Sequence, residues 1–251
     1  MNRVHPSAAV GFAKAADVYE RARPSYPQEA IDWLVAQTGL GPGKTVVDVG
    51  AGTGKLTRLL IPSGARVVAV EPIPEMRAHI EGAELLDGTA EEIPLTDGSV
   101  DVVTAAQAFH WFDHERALPE IRRVLRDGGS LVLVWNMRDL DDPVQRGVED
   151  LLRPIREEAP AQLLGAWREP LARSRLFGPG VKQEFSYEQR FTTDDLCDRV
   201  ASTSFVAAMS PIDREEILVR VRALTHGVDE PFAFPYKTEV EVIPRTSNRA
   251  V

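Results

Sequence analysis

The sequence is poor in cysteine, in long apolar runs and in basic residues, and each scarcity excludes a class of protein. Its 251 residues include one cysteine, Cys197, which can neither close an internal disulfide nor complete a cysteine-based zinc site. No apolar stretch approaches the roughly 18 residues of a membrane helix, and the first residues lack the charged-then-apolar layout of a signal peptide. We therefore expect a soluble, cytoplasmic protein that does not associate with membranes.

The charge balance is acidic. The chain carries 29 Lys and Arg against 38 Asp and Glu, which gives a formal net charge of −9. A nucleic-acid platform needs a positive surface to contact phosphates, so DNA and RNA are not expected partners. Composition leaves the oligomeric state open.

In the first half of the chain, short apolar runs alternate with helical patterns. Runs that are apolar on both faces are typical of buried, parallel strands. The predicted strands of this half are 44–49, 66–70, 84–86, 100–105 and 130–135. Helices are predicted over 25–37, opened by a Ser-x-x-Gln capping box, and over 113–126, closed by Gly128 and Gly129. This alternation predicts an α/β fold of the Rossmann-like, doubly wound type.

The second half is more helical. Residues 137–180 and 190–230 are predicted to form a helical insertion or lid that includes a helix over 213–224 with an Asp-x-x-Glu cap. A strand is predicted over 181–187, and the alternating residues 237–243 are typical of an edge strand. We therefore predict one domain, 1–251, with a mostly parallel seven-stranded sheet, an antiparallel edge strand and a cofactor-binding core over about 19–136.

The sharpest local signal is the glycine loop Asp48-Val-Gly-Ala-Gly-Thr-Gly54, which follows the first predicted strand. Glycines let the chain turn sharply and let a ligand approach the main chain. A dinucleotide fingerprint would place its third small residue at position 55, which is Lys55, and a P-loop would need Ser or Thr where Leu56 stands. Glu71 lies 71 − 50 = 21 residues after Gly50, an offset at which a carboxylate accepts hydrogen bonds from ribose hydroxyls. The carboxylate suits NAD and S-adenosylmethionine alike.

Four segments in order resemble class I S-adenosylmethionine-dependent methyltransferases, in particular the small-molecule branch of type 11 and trans-aconitate-like enzymes. They are the glycine loop, Val70-Glu-Pro72 with Met76, residues 88–95, and Phe109-His-Trp-Phe112. The resemblance implies methyl transfer from S-adenosyl-L-methionine to a small-molecule acceptor, at a carboxylate or hydroxyl oxygen. A non-catalytic S-adenosylmethionine-binding protein and an NAD-dependent oxidoreductase remain alternatives.

The resemblance also implies which residues bind the cofactor. They would be Tyr19, Arg23, Asp48, Gly50, Ala51, Gly52, Gly54, Glu71, Pro72, Met76, Thr89, Ala90, Glu91 and Gln107. In that arrangement Arg23 would pair with the cofactor's carboxylate, and Glu71 would bind the ribose. For Met76 an ordinary position in the core is an equal alternative.

The acceptor pocket is less well marked. Its candidate residues are Trp111, Trp135, Asn136 and Arg138. Arg138 would favour an acidic substrate, although a surface ion pair also explains it. His110 is a candidate catalytic base for a hydroxyl acceptor, with a structural His-Trp pair as the alternative, whereas a carboxylate acceptor would need no base.

No metal site is expected. His110 and His114 are four residues apart, but Asp113 between them is the predicted cap of a helix, so they would not share one helical face. The acidic residues of 139–142 are explained by a turn before Pro143.

Overall fold

One mixed sheet organises the residues that the computed structural model describes, namely 20–155, 165 and 167–247. Within them, seven strands lie in the order β3-β2-β1-β4-β5-β7-β6. The strands are β1 (Thr45–Val49), β2 (Arg66–Val70), β3 (Glu84–Leu86), β4 (Val100–Ala106), β5 (Leu125–Arg138), β6 (Val181–Phe191) and β7 (Phe232–Pro244). The first five pair in parallel, whereas β7 runs antiparallel to both β5 and β6. The predicted α/β architecture is confirmed.

Helices flank this sheet. The α-helices of the described residues are α1 (Gln28–Thr38), α2 (Lys55–Leu60), α3 (Pro74–Arg77), α4 (His114–Val124), α5 (Pro143–Leu152), α6 (Arg168–Ser174), α7 (Thr193–Ala201), α8 (Ser204–Ala207) and α9 (Pro211–Leu224). Short 3₁₀ turns lie at Ile61–Ser63, Phe109–Trp111 and Arg153–Ile155. In the described part of the chain, no helix is both long and apolar enough to cross a membrane.

The core lies on both faces of the parallel strands, because their side chains are apolar on both sides. Every residue of β1 is buried. One cluster includes Phe109 and Leu133, and the opposite face carries Leu34 and Val134. A third cluster, which includes Phe234, lies beneath the helices of the second half. The carboxyl ends of β1, β2, β4 and β5 therefore lie at the same edge of the sheet, next to a core that is packed on both faces.

Two predicted helix starts are wrong. Helix α1 begins after Pro27 and has no side-chain cap, so the capping box at Ser25 does not form. Helix α9 begins two residues earlier than predicted, because the Ser210 side chain accepts a hydrogen bond from the Asp213 N–H. The nearer serine, followed by Pro211, supplies the cap in place of Asp213.

The predicted end of α4 is also displaced. The helix stops at Val124, and β5 begins directly at Leu125 rather than after a glycine stop. Gly128 has a φ of 79°, so the glycine turn lies within the first part of the β5 segment.

Strand β7 is not the edge strand that its alternating sequence predicted. It lies between β5 and β6, so β6 forms the edge of the sheet. The Glu239 side chain on β7 is buried, and it lies 3.2 Å from the Arg168 guanidinium and 3.0 Å from the Lys182 ammonium. The glutamate of this polar alternation is therefore buried in ion pairs with α6 and β6.

A buried carboxylate joins three elements beside the glycine loop. Asp48 on β1 accepts hydrogen bonds from the Thr57 hydroxyl of α2 at 2.6 Å and the Thr104 hydroxyl of β4 at 2.8 Å. Burial raises the pKa of Asp48 to about 6, although both hydroxyl hydrogen bonds act to lower it. Asp48 therefore connects β1, α2 and β4. Because its charge is buried, ionisation of Asp48 at higher pH destabilises the folded state.

Replacing this group, Asp48→Asn, should change how stability depends on pH. In wild type, the folded protein retains a proton on Asp48 at pH values where the unfolded chain has lost it, so this residue's contribution falls as pH rises from about 3.8 to about 6. The free energy of unfolding of wild type should fall relative to the variant by about 3 kcal/mol across this window, since one pKa unit corresponds to about 1.4 kcal/mol. Urea unfolding at a series of pH values measures the difference.

Asp101→Asn is the matched control. Burial acts to raise the pKa of Asp101, but the Thr45 N–H, Lys44 and Arg126 hold it below its usual value. Its contribution should therefore be lost as pH falls below about 4, the opposite direction. A difference between wild type and Asp48→Asn that stays constant with pH would contradict the first prediction.

Candidate functional site

The glycine loop turns back over the end of β2. Gly50, Gly52 and Gly54 have φ values of 67°, 59° and 80°, in the left-handed region that side chains other than glycine rarely adopt. The Gly50 and Ala51 N–H groups donate to the Val70 carbonyl at 2.9 and 3.2 Å. A Cβ at Gly50 would stand 2.8 Å from the Ala108 Cβ, so the loop also touches the segment after β4.

Glu71 follows β2 directly, and its side chain forms a hydrogen bond with the glycine loop. Its carboxylate is buried, and it accepts hydrogen bonds from the Gly52 N–H at 2.8 Å and the Ile73 N–H at 2.9 Å. Burial raises the pKa of Glu71, although both N–H groups act to lower it. Each carboxylate oxygen has a second lone pair, so Glu71 can still accept hydrogen bonds from a ribose diol.

Pro72 and Met76 continue from Glu71. Pro72 is half-buried, and the buried Met76 places its terminal methyl 3.7 Å from where a Cβ on Gly52 would stand. Met76 is therefore a buried residue that packs against the loop.

The segment after β3 forms hydrogen bonds within the protein, although the resemblance assigns several of its residues to the cofactor. Thr89 and Glu92 exchange backbone hydrogen bonds in a tight turn, and Ala90 is buried. The Glu91 carboxylate accepts a hydrogen bond from the Asp113 N–H at 2.9 Å, at the start of α4. Glu91 therefore holds α4, while the Asp113 side chain forms no cap of its own.

Gln107 follows β4 directly and has an unusual conformation. Its φ is 54°, which costs energy for a residue with a side chain and is typical of functional sites. The Gln107 N–H donates to the Val134 carbonyl at 3.0 Å, and its side-chain amide donates to the Asn136 carbonyl at 3.0 Å. Gln107 therefore joins the carboxyl ends of β4 and β5 beside the glycine loop.

The N-terminal segment, residues 20–27, is tethered to the start of α2. The Glu20 carboxylate contacts the Arg58 guanidinium at 2.5 Å, and the Glu20 carbonyl accepts from the Lys55 ammonium at 2.6 Å. Arg58 also donates to the Thr53 carbonyl of the glycine loop at 2.7 Å. Lys55, the residue that departs from the dinucleotide fingerprint, therefore attaches the N-terminal segment to the loop.

The other end of this segment contacts the second half of the chain. The Asn136 amide donates to the Ser25 carbonyl at 2.8 Å and accepts from the Thr238 hydroxyl at 2.5 Å. Arg23 donates to the Ser202 carbonyl at 2.9 Å, after α7. Tyr19, the other predicted residue of the segment, lies outside the described residues.

An aromatic cluster lies beside Gln107; it consists of Phe109, His110, Trp111, Trp135 and Trp167. The His110 ring lies 5.0 Å from the Trp111 ring and 5.5 Å from the Trp135 ring, centroid to centroid. Trp135 stacks on Trp167 at 5.4 Å. The structure thus brings together the predicted residues His110, Trp111 and Trp135, and it adds Trp167 just before α6.

Sequence reasoning missed Trp167. It stands in the Arg-rich second half, and no spacing relates it to the strands that it contacts. The only signal is a large aromatic residue within the stretch predicted to form a helical insertion or lid. In the structure it is buried, with the Arg168 guanidinium 4.4 Å from its ring centroid.

His110 is neutral in this setting. Burial is the main cause that lowers the pKa of His110 to about 3, and the nearby Arg23 and His114 act in the same direction. A base this weak accepts a proton from a hydroxyl poorly at neutral pH. The ring can instead act as a hydrogen-bonding group in its uncharged form.

The remaining predicted pocket residues are occupied by protein partners. Asn136 holds Ser25 and Thr238, as described above. The Arg138 guanidinium forms a largely buried ion pair with Glu149 on α5 at 2.7 Å. Arg138 therefore has the ion-pair role that the sequence offered as the alternative to substrate binding.

The acidic turn after β5 is compensated by a lysine. Lys237 lies 3.3 Å from Asp139 and 3.9 Å from Asp141. Across the described residues, no three His, Cys, Asp or Glu side chains are grouped so that they could hold a metal ion.

Comparisons with known proteins show the family of the chain. A family described as the methyltransferase domain matches residues 47–133, from β1 into β5. An uncharacterised methyltransferase of Mycobacterium tuberculosis is 42% identical over 244 residues, which span 92% of this chain and 93% of the relative. An uncharacterised methyltransferase-like protein of Schizosaccharomyces pombe is 36% identical over 204 residues and 79% of each chain. The chain belongs to the methyltransferase family.

Solved structures show the same fold. A candidate type II methyltransferase of Anaeromyxobacter dehalogenans superposes with a TM-score of 0.66 at 25% identity, over 88% of this chain and 97% of that one. A candidate methyltransferase from an antibiotic biosynthesis pathway of Anabaena variabilis superposes with a TM-score of 0.61 at 20% identity, over 90% and 99% of the two chains.

Gly50→Ala should lower the free energy of unfolding by more than left-handed backbone strain alone explains. Gly98→Ala is the matched control, because Gly98 has a similar φ of 58° but open space around a new Cβ. The control should lose about 1 kcal/mol of unfolding free energy from left-handed strain. Gly50→Ala should lose about 1–3 kcal/mol more, because its Cβ meets Ala108. Urea unfolding measures both, and equal losses would contradict the close contact.

Proposed function

We propose that this methyltransferase transfers a methyl group from S-adenosyl-L-methionine to an oxygen atom of a small molecule, as in the small-molecule branch that the sequence resembles. The observation that carries the proposal is the arrangement of the glycine loop on Glu71. The main chain of the loop is partly exposed at Gly50 and Gly52, and Glu71 retains lone pairs for a ribose diol.

The residues present suit that cofactor. Gly50, Gly52 and Gln107 would border its amino-acid portion, Glu71 its ribose, and Met76 its adenine. When bound, S-adenosylmethionine supplies an electrophilic methyl group whose departure leaves a thioether that needs no proton. The protein's remaining tasks are to orient the acceptor and to exclude water.

Two parts of the chain can exclude water. Residues 20–27 cross from α2 to the second half, held by Glu20 at one end and Ser25 at the other. Trp167 covers the aromatic cluster from the opposite side. Both lie next to the carboxyl ends of β4 and β5, where ligands bind in sheets of this type.

Calorimetry tests the cofactor assignment directly. The purified protein should bind S-adenosylhomocysteine with a dissociation constant below 1 mM, on the order of the affinity expected for a working cofactor site. Absence of binding would refute the proposal, and so would stabilisation by NAD without stabilisation by S-adenosylhomocysteine.

Glu71→Ala should weaken this binding at least about tenfold, because a hydrogen bond to a charged group contributes about 1.5–3 kcal/mol. Glu84→Ala is the matched control, since Glu84 is an exposed glutamate at the start of β3 that pairs with Arg66. The control should bind S-adenosylhomocysteine as wild type does. Wild-type affinity in Glu71→Ala would contradict the ribose assignment.

A further inference from the structure

Three buried nitrogen atoms of the aromatic cluster have no hydrogen-bond partner among the described residues. They are His110 Nδ1, Trp135 Nε1 and Trp167 Nε1. Buried polar groups of folded proteins are nearly always paired, so three such atoms in adjoining side chains call for an explanation. The three rings are contiguous, because His110 lies against Trp135 and Trp135 lies against Trp167.

Their position coincides with the proposed reaction site. Trp135 follows Val134, whose carbonyl accepts from the Gln107 N–H, so Trp135 is level with the end of β4. His110 belongs to the 3₁₀ turn that begins two residues after Gln107. The cluster thus begins where the proposed cofactor site ends.

Trp167 is held in place from outside the cluster. The Arg168 guanidinium lies over the Trp167 ring and forms an ion pair with Glu239 of β7 at 3.2 Å. Lys182 contacts the other oxygen of Glu239 at 3.0 Å. This bridge fixes the residue next to Trp167 to the sheet, which restricts where the indole can lie.

The hydrogen-bonding properties of these three nitrogen atoms determine which atoms a ligand must present to them. An indole N–H only donates, so Trp135 and Trp167 each need an acceptor oxygen. At neutral pH the charged group that acts on His110 is Arg23, since burial lowers the pKa of the neighbouring His114. The surroundings therefore favour an anionic oxygen over a neutral one.

We propose that the indole N–H groups of Trp135 and Trp167 donate to the oxygens of a small carboxylate, which is the methyl acceptor. This inference rests on the proposed methyl transfer, and it narrows the acceptor from a carboxylate or a hydroxyl to a carboxylate. The carboxylate oxygen forms a bond to the methyl carbon as the bond from that carbon to sulfur breaks. The carboxylate becomes a neutral methyl ester, the sulfonium becomes a neutral thioether, and no proton is released. Neutral His110 then serves as a hydrogen-bonding group and not as a base.

Phenylalanine variants separate the donor from the ring. Trp135→Phe and Trp167→Phe remove the N–H groups but retain an aromatic side chain, and Trp33→Phe is the matched control because Trp33 packs against Phe185 on another face. Transfer of labelled methyl from S-adenosylmethionine is measured with benzoate and fumarate, and with benzyl alcohol for comparison. Both site variants should raise the KM for the accepted acid at least tenfold, while the KM for S-adenosylmethionine stays within twofold.

The indole N–H resonances give a readout that is independent of turnover. The four tryptophans yield four such signals, which the Phe variants assign. Benzoate or fumarate should shift the Trp135 and Trp167 signals downfield, with and without S-adenosylhomocysteine, and leave the Trp33 signal in place. If ordered water fills the site instead, neither acid will move these signals.

The outcomes separate this inference from the proposed function. If S-adenosylhomocysteine binds but neither acid is methylated or shifts an indole signal, the carboxylate assignment is overturned and the cofactor assignment stands. Methylation of an acid with unchanged KM in both Phe variants, or methylation of benzyl alcohol alone, also overturns it. Failure to bind S-adenosylhomocysteine overturns the proposed function itself.

Discussion

The close approach of the glycine loop to the segment after β4 is the constraint on which the rest of the site depends. Gly50 and Ala108 can touch because position 50 carries no side chain and adopts a left-handed conformation. The contact lies just beyond the ends of the paired strands β1 and β4, where Asp48 accepts hydrogen bonds from Thr57 of α2 and Thr104 of β4. Gln107 and His110 follow directly, so the proposed cofactor and acceptor regions share a boundary.

The second half of the chain completes the site through hydrogen bonds and ion pairs. Asn136 at the end of β5 joins the N-terminal segment to β7, through Ser25 and Thr238. Arg168 and Glu239 hold the segment that carries Trp167 against the sheet. Both connections end on β7, which lies between β5 and β6. An edge position would leave Glu239 without one of its two cationic neighbours.

The local signals predicted the first half of the molecule well, for a physical reason. Parallel strands buried on both faces must be apolar throughout, and turns such as 50–54 require glycine, so both leave marks in the sequence. The offset of Glu71 from Gly50 follows from the length of one strand-helix-strand unit. The carboxylate is where that spacing indicates, although main-chain N–H groups also use it.

The second half depends on contacts between distant residues, and these leave weaker marks. Arg138 and Glu149 form a buried pair that charge alone does not distinguish from surface residues. The polar alternation of β7 is typical of an exposed edge, yet its glutamate is buried by partners more than 50 residues away in sequence. Trp167 could not be assigned for the same reason, since its role depends on how the chain returns to β5 after α5.

The charged groups differ between the two sides of the candidate site. On the side of the glycine loop, the buried carboxylates Asp48 and Glu71 create a negative environment, which suits the ribose and the positive charge of the proposed cofactor. On the side of the aromatic cluster, the charge that acts on His110 is the positive charge of Arg23. A sulfonium and a carboxylate placed on these two sides would each be favoured before reaction, and both charges would vanish on methyl transfer. The same separation would then favour release, because neither the thioether nor the ester retains the charge that held its precursor.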